Sequence, residues 1–210
     1  VSDDIFSLIR LHAVAVRPYY ARALFAATPM RVEKLGTFAI DRWARVYYDD
    51  EIIDPSLRPG KLPDGRQKNT LPEGGSILIH EVEHWLRKHF VRAEVIVKAS
   101  VLPALTARFI NLAQDAEIND DLVEQHLPMW RDVPPVYPRD FGWPDGLLWE
   151  EYYGFIRKDL PNIEQRVLKQ LQDATRQPPE QWLPSIAADL GKYGQVVVAL
   201  QCGSGAHGLG

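Results

Sequence analysis

The sequence predicts a mostly helical α+β fold with a small β-sheet, in a single domain of 210 residues. Helical periodicity recurs through most of the chain and is clearest from 103 to 126. The stretch 37–48 changes to the aromatic and β-branched composition of a hairpin. Proline- and glycine-rich runs at 54–75 and 127–144 punctuate the helices. A hydrophobic share of 46% and a charged share of 25% are those of a globular chain able to bury a core.

The expected elements run as follows. Residues 1–35 form N-terminal helices, capped by Asp3 or Asp4, with Ile5, Leu8, Ile9, Leu11 and Val16 as the apolar stripe. Pro18 interrupts that pattern and suits the first turn of a second helix, and Pro29 ends the run. Residues 36–50 hold a hairpin, with strands Thr37–Ile40 and Arg45–Tyr48 and a turn over Asp41–Ala44. Residues 51–75 read as a polar surface loop, "DPSLRPGKLPDGRQKNTLPEGG" being dense in Pro, Gly and charge.

Residues 76–125 carry the central helices. Ile77, Leu78, Val82, Trp85 and Leu86 give the first a core-facing stripe, and 91–101 leans to helix. The helix from Pro103 buries Leu105, Phe109, Leu112, Ala113 and Ala116. Residues 126–210 begin with an irregular Pro- and Trp-rich excursion. Helices over 146–160 and 162–176 follow, the latter capped by Asn162, and then a short buried strand and a glycine-rich end.

A net charge of −4 gives no reason to expect nucleic acid, and no run approaches ~20 apolar residues, so no membrane span is expected. Cys202 is alone, which excludes an internal disulfide and a cysteine-bound metal. The start lacks the pattern of a secretory signal, so a cytoplasmic location is expected. Without an initiating Met, and ending in "CGSGAHGLG", the chain reads as part of a longer protein.

The chemistry concentrates in "SILIHEVEHWLRKHF", residues 76–90, with the pattern His-Glu-x-x-His. Four helical residues separate His80 from His84, which places them about 40° apart around the axis and about 6 Å along it. Two imidazoles so placed can meet one zinc ion, which takes neutral nitrogens at about 2.0–2.1 Å. Glu81 lies one residue round from His80, where its carboxylate reaches metal-bound water without itself ligating. A surface helix with two solvated histidines is the plainer reading, and its apolar stripe is compatible with either.

A catalytic zinc takes three protein ligands, so a third is needed. His89 follows His84 by five residues, about 140° of helix, and reaches the site only if the helix breaks at once. Otherwise it is a solvated residue at a helix end. "FINLAQDAEIND" offers Asp115, Glu117, Asp120 and Asp121. Asn111, Asp115 and Asn119 share one face at spacings of four, as a carboxylate flanked by orienting amides would. Glu117 lies about 200° from Asp115 and faces elsewhere. An exposed polar face explains the same residues.

Taken together, these segments resemble the metallopeptidase-like domain found N-terminal to a von Willebrand factor A-like domain in many bacterial proteins, a member of the wider zincin group. "RPYYARALFAATPMRV" resembles its opening helix, "TFAIDRWARVYYDDEII" its hairpin and "LIHEVEHWLRKH" its active helix. "FINLAQDAEINDDL" is similar to its Asn-x-Ala-x-Asp-x-x-Ile-Asn helix, and "CGSGAHG" to a glycine-rich segment near its end. The resemblance implies a zincin-like fold with the hairpin edge beside a cleft where a peptide adds as a strand. It implies one Zn2+ ion held by His80, His84 and Asp115, with Glu81 as the catalytic carboxylate; on the residues alone, His89 and Glu117 stay as alternative ligands. The loop 54–75 is longer and more polar than the usual link, and the von Willebrand factor A-like portion is absent from this sequence.

Two neutral histidines and one carboxylate leave a divalent site at about +1, where bound water titrates near ~7. Glu81 would take that proton and pass it to the leaving amine of a peptide or protein substrate. His126, Tyr152 and Tyr153 are the candidate donors to the oxyanion; helix-end solvation and core packing are their plainer roles. "GSGAHG" lacks the Lys and helix of a phosphate loop, so His207 reads as solvated, as do Arg87 and Lys88. The alternative function is a metal-stabilised interaction module without proteolytic activity, partnering an AAA-type ATPase or a von Willebrand factor A-like domain.

Overall fold

In a computed structural model the chain is described over residues 5–56, 59–100, 103–131 and 134–158. Mostly helical α+β architecture is observed, with one three-stranded sheet. The element order is α1 (Ile5–Val16), α2 (Ala21–Ala26), β1 (Thr28–Arg31), β2 (Phe38–Ile40), β3 (Arg45–Tyr48), α3 (Leu71–Leu86), α4 (His89–Lys98) and α5 (Pro103–Glu124), then a helix α6 over 149–158. Two compact units divide these described residues: those from 5 to 92 with those from 118 to 135, and those from 93 to 117 with those from 136 to 158. Helix α5 is common to both.

In the first unit α1 buries Phe6, Ile9 and Ala13, while Leu11 and Val16 of the expected stripe are exposed. Pro18 opens a single 3-10 turn that leads into α2. The core gathers Phe6, Ile9, Leu24, Phe38, Ile40, Val46 and Leu78. β2 and β3 form the expected antiparallel hairpin, with Phe38 opposite Tyr48. Asp41 organises its turn: one carboxylate oxygen accepts from the Trp43 and Arg45 amides, and the other from Arg45 Nε and the Tyr47 hydroxyl. Burial opposes its ionisation, but those hydrogen bonds prevail and hold its carboxyl below the ordinary aspartate range.

The sequence pattern does not reveal β1. It pairs in parallel with β3 at the sheet edge, and all its residues are exposed, so no alternation marks it. Another departure concerns 51–75. The segment is pinned by bridges between Ile53 and Asn69 and between Lys61 and Gln67. Its last five residues already belong to α3. Thr70 and Glu73 form a capping box, with Pro72 in the first turn. Gly74 and Gly75, which read as loop, lie in the helix, and their missing side chains leave room for α1 and Ile53 close by. A Cβ on Gly74 would meet Ile53 Cδ1 at 3.0 Å, and one on Gly75 would meet His12 Cδ2 at 3.1 Å.

The second unit packs Phe109, Leu112, Ala116, Trp149, Tyr152 and Ile156. Helix α4 begins at His89, so residues 91–98 of the segment that leans to helix in sequence are helical. The expected helix over 162–176, the terminal strand and the glycine-rich end with Cys202 and His207 lie outside the described residues, as do Asp3 and Asp4. Among the described residues no helix is long and apolar enough to cross a membrane.

Candidate metal centre

Every residue of α3 from Glu73 to His84 is buried, the polar ones included. Burying so many polar groups requires partners for each. Glu83 accepts from the Tyr20 hydroxyl and, at 2.7 Å, from Arg87 Nε, and Arg87 continues to Asp121 at 2.6 Å. Arg87 is therefore built into the fold rather than solvated. Glu73 accepts from the Thr70 amide at 2.8 Å and from Arg131 Nε, while the Arg131 amide donates to Asn69 at 2.7 Å. That tether holds the segment carrying Trp130, whose ring stands edge-on to His80 with centroids 5.2 Å apart.

His80 and His84 converge as the helical spacing requires. Their Nε2 atoms are 3.2 Å apart, and the residues are 6% and 2% exposed. Two nitrogens bound tetrahedrally at about 2.05 Å from one ion lie ~3.3 Å apart, so this pair already has the separation of zinc ligands. Asp115 on α5 supplies a carboxylate oxygen, and the three ligand atoms all lie within 4.8 Å of one another. Among the described residues no other group of His, Cys, Asp and Glu converges in this way. Two imidazoles and a carboxylate are a donor set that suits zinc or a neighbouring divalent ion, so the residues fit the group.

The supporting residues separate into those the structure brings to the cluster and those it does not. Asn111 Nδ2 donates to Asp115 Oδ2 at 3.1 Å, one helical turn away. Asn119 is buried on the same face. From Leu112 to Asn119 each residue of α5 is buried, so the face read as exposed-polar is enclosed instead. Glu81 is buried beside His80, 7% exposed.

Glu117 faces away from Asp115. Its Oε2 accepts from the Trp149 amide at 2.9 Å, at the first turn of α6, where a carboxylate satisfies an orphan donor of the helix. His89 is fully buried, not solvated, and sits against the far nitrogen of His84 rather than in the cluster. Tyr152 is buried in the second unit with its hydroxyl engaged, donating to the Pro144 carbonyl at 3.1 Å and accepting from the Leu147 amide at 3.2 Å. Tyr153 packs its ring on Trp149 at 6.4 Å. His126 is exposed, in a left-handed conformation just past the end of α5. The helix does break before His89, but the turn brings that residue to His84 and not to the cluster. Trp130 carries no periodic signal in the sequence, lying in the irregular stretch after α5.

No family model matches the chain, and no curated protein or solved structure matches it either.

Proposed function

We propose that this chain is a zincin-like peptidase, using one zinc ion held by His80, His84 and Asp115 to hydrolyse peptide bonds. The observation that carries the reading is the 3.2 Å approach of the His80 and His84 Nε2 atoms beside a buried carboxylate. When bound, the ion supplies Lewis acidity, making water a nucleophile near neutral pH and polarising the scissile carbonyl. Glu81 adjoins His80 and acts as general base, accepting the proton of the attacking water and donating it to the leaving amine. Asn111 orients the Asp115 carboxylate. Trp130, edge-on to His80, is a wall that excludes water from one side of the site. A peptide or protein is the substrate, and the single cysteine fits a reducing compartment such as the cytoplasm.

Glu81→Gln separates binding from chemistry. The variant should retain one zinc per chain by elemental analysis and lose cleavage of a mixed peptide library by ~10²-fold or more, the scale of a general base. Undiminished cleavage by the variant would remove Glu81 from the mechanism. Zinc retention by a wild-type chain that cleaves nothing would favour the metal-stabilised interaction module, with an AAA-type ATPase or a von Willebrand factor A-like domain as partner.

A further inference from the structure

Helix α3 ends at Leu86, and Lys88 adopts a left-handed conformation, φ 56°, before α4 opens at His89. Five residues of unbroken helix would carry His89 about 140° away from His84. The left-handed residue reverses the chain instead. His89 Nδ1 comes to 3.1 Å from His84 Nδ1, with the rings edge to face at 80° and their centroids 5.1 Å apart. The two residues are 0% and 2% exposed. Both nitrogens of His84 are thus committed, Nε2 toward His80 and Nδ1 toward His89.

Two facing ring nitrogens share one proton, so one donates and the other accepts. A nitrogen that ligates a metal must keep its lone pair. With Nε2 given to the metal, neutral His84 carries its proton on Nδ1 and donates it to His89. His89 is then the acceptor at Nδ1, with its own proton on Nε2. The His89 atom that faces His84 lies on the side of that ring remote from His80, so it cannot also join the ion at the Nε2 pair.

We propose that His89 is the positioning residue that fixes the tautomer and ring orientation of His84 for metal binding. Carboxylates and backbone carbonyls usually hold the second nitrogen of a ligating histidine. A neutral imidazole does so here without adding a negative charge. The inference rests on the metal-site reading and not on peptidase activity.

Competition with a chromophoric chelator measures zinc affinity of the full chain and its variants. His89→Leu, which cannot accept the proton, should bind zinc about 10–100-fold more weakly, the usual effect of losing such a partner. His89→Asn places an amide oxygen near the lost Nδ1 and should recover affinity to within about threefold of wild type, rescue that restored packing alone would not give. In the zinc-loaded wild type, nitrogen-detected NMR of the imidazoles should find the His84 proton on Nδ1 and the His89 proton on Nε2. Zinc binding by folded His89→Leu as tight as wild type, or a His89 proton on Nδ1, overturns the inference. If the leucine variant does not fold, the asparagine variant and the wild-type spectrum decide. A wild-type chain that binds no zinc removes the metal reading as well, whereas one that binds zinc indifferently to position 89 removes this inference alone.

Discussion

Asp115 and His84 are both buried, and each is held by a neighbour close in sequence, but the two supports differ in what the backbone must do. Asn111 stands one turn before Asp115, a relation regular helix supplies without distortion. His89 reaches His84 only because Lys88 takes a conformation that costs a non-glycine residue about 1–2 kcal/mol. A support made of periodicity tolerates change, since the helix persists whatever the side chain. A support made of a reversal depends on everything that holds the reversal in place.

A separate network lies on another side of α3. Arg87, the residue before Lys88, is bound to Glu83 and Asp121, and Glu83 also accepts from the Tyr20 hydroxyl. Tyr20→Phe should therefore lower global stability by about 2 kcal/mol in urea titration, the scale of a hydrogen bond to a charged group. Zinc affinity of the variant, measured while it is folded, should be little changed. Burial, and then the bond to Glu83, push the Tyr20 hydroxyl far above the ordinary phenol range. The folded state thus holds that proton more tightly than the unfolded chain does. Its contribution is complete below about pH 10 and declines as the pH rises beyond. In Tyr20→Phe this alkaline decline should shrink; an identical decline in both proteins would mean the phenol is not its source.

A smaller effect belongs to the periodic support. Asn111→Ala should weaken zinc binding by about tenfold, at the low end for outer partners, because Asp115 stays on an intact helix. A loss matching that of His89→Leu would erase the distinction between the two sides. Smallest of all, Lys88→Gly relieves the left-handed strain and should raise stability by about 1 kcal/mol in the same titration, with zinc affinity unchanged. A destabilised glycine variant would show that the exposed Lys88 side chain contributes something beyond its backbone angle.

The same contrast governs what could be read from the sequence. The approach of His80 to His84 was legible because a spacing of four has one geometric meaning on a helix, and so was the placing of Asn111 beside Asp115. The hairpin was legible from its composition and from Asp41. His89 was not, because its position turns on a left-handed lysine where no glycine or asparagine announces a reversal. The first turn of α3 was hidden by Gly74 and Gly75, although Thr70 and Glu73 carried the capping signature three residues apart. Those glycines answer to the approach of α1, a tertiary cause that local pattern does not contain. β1 escaped for a related reason, since an exposed edge strand containing Pro29 has neither alternation nor burial to betray it. Polar residues on α5 could be placed on faces, but which face would be enclosed depended on the fold around them.

The proposed chemistry requires that His80, His84 and Asp115 bind one divalent ion together. Zinc titration of the purified chain, with elemental analysis of the wild type and of Asp115→Asn side by side, tests this most directly. One tightly held zinc per wild-type chain, weakened by on the order of 100-fold in Asp115→Asn, is the predicted result. Equal zinc content and affinity in the two proteins, or none in either, would contradict it.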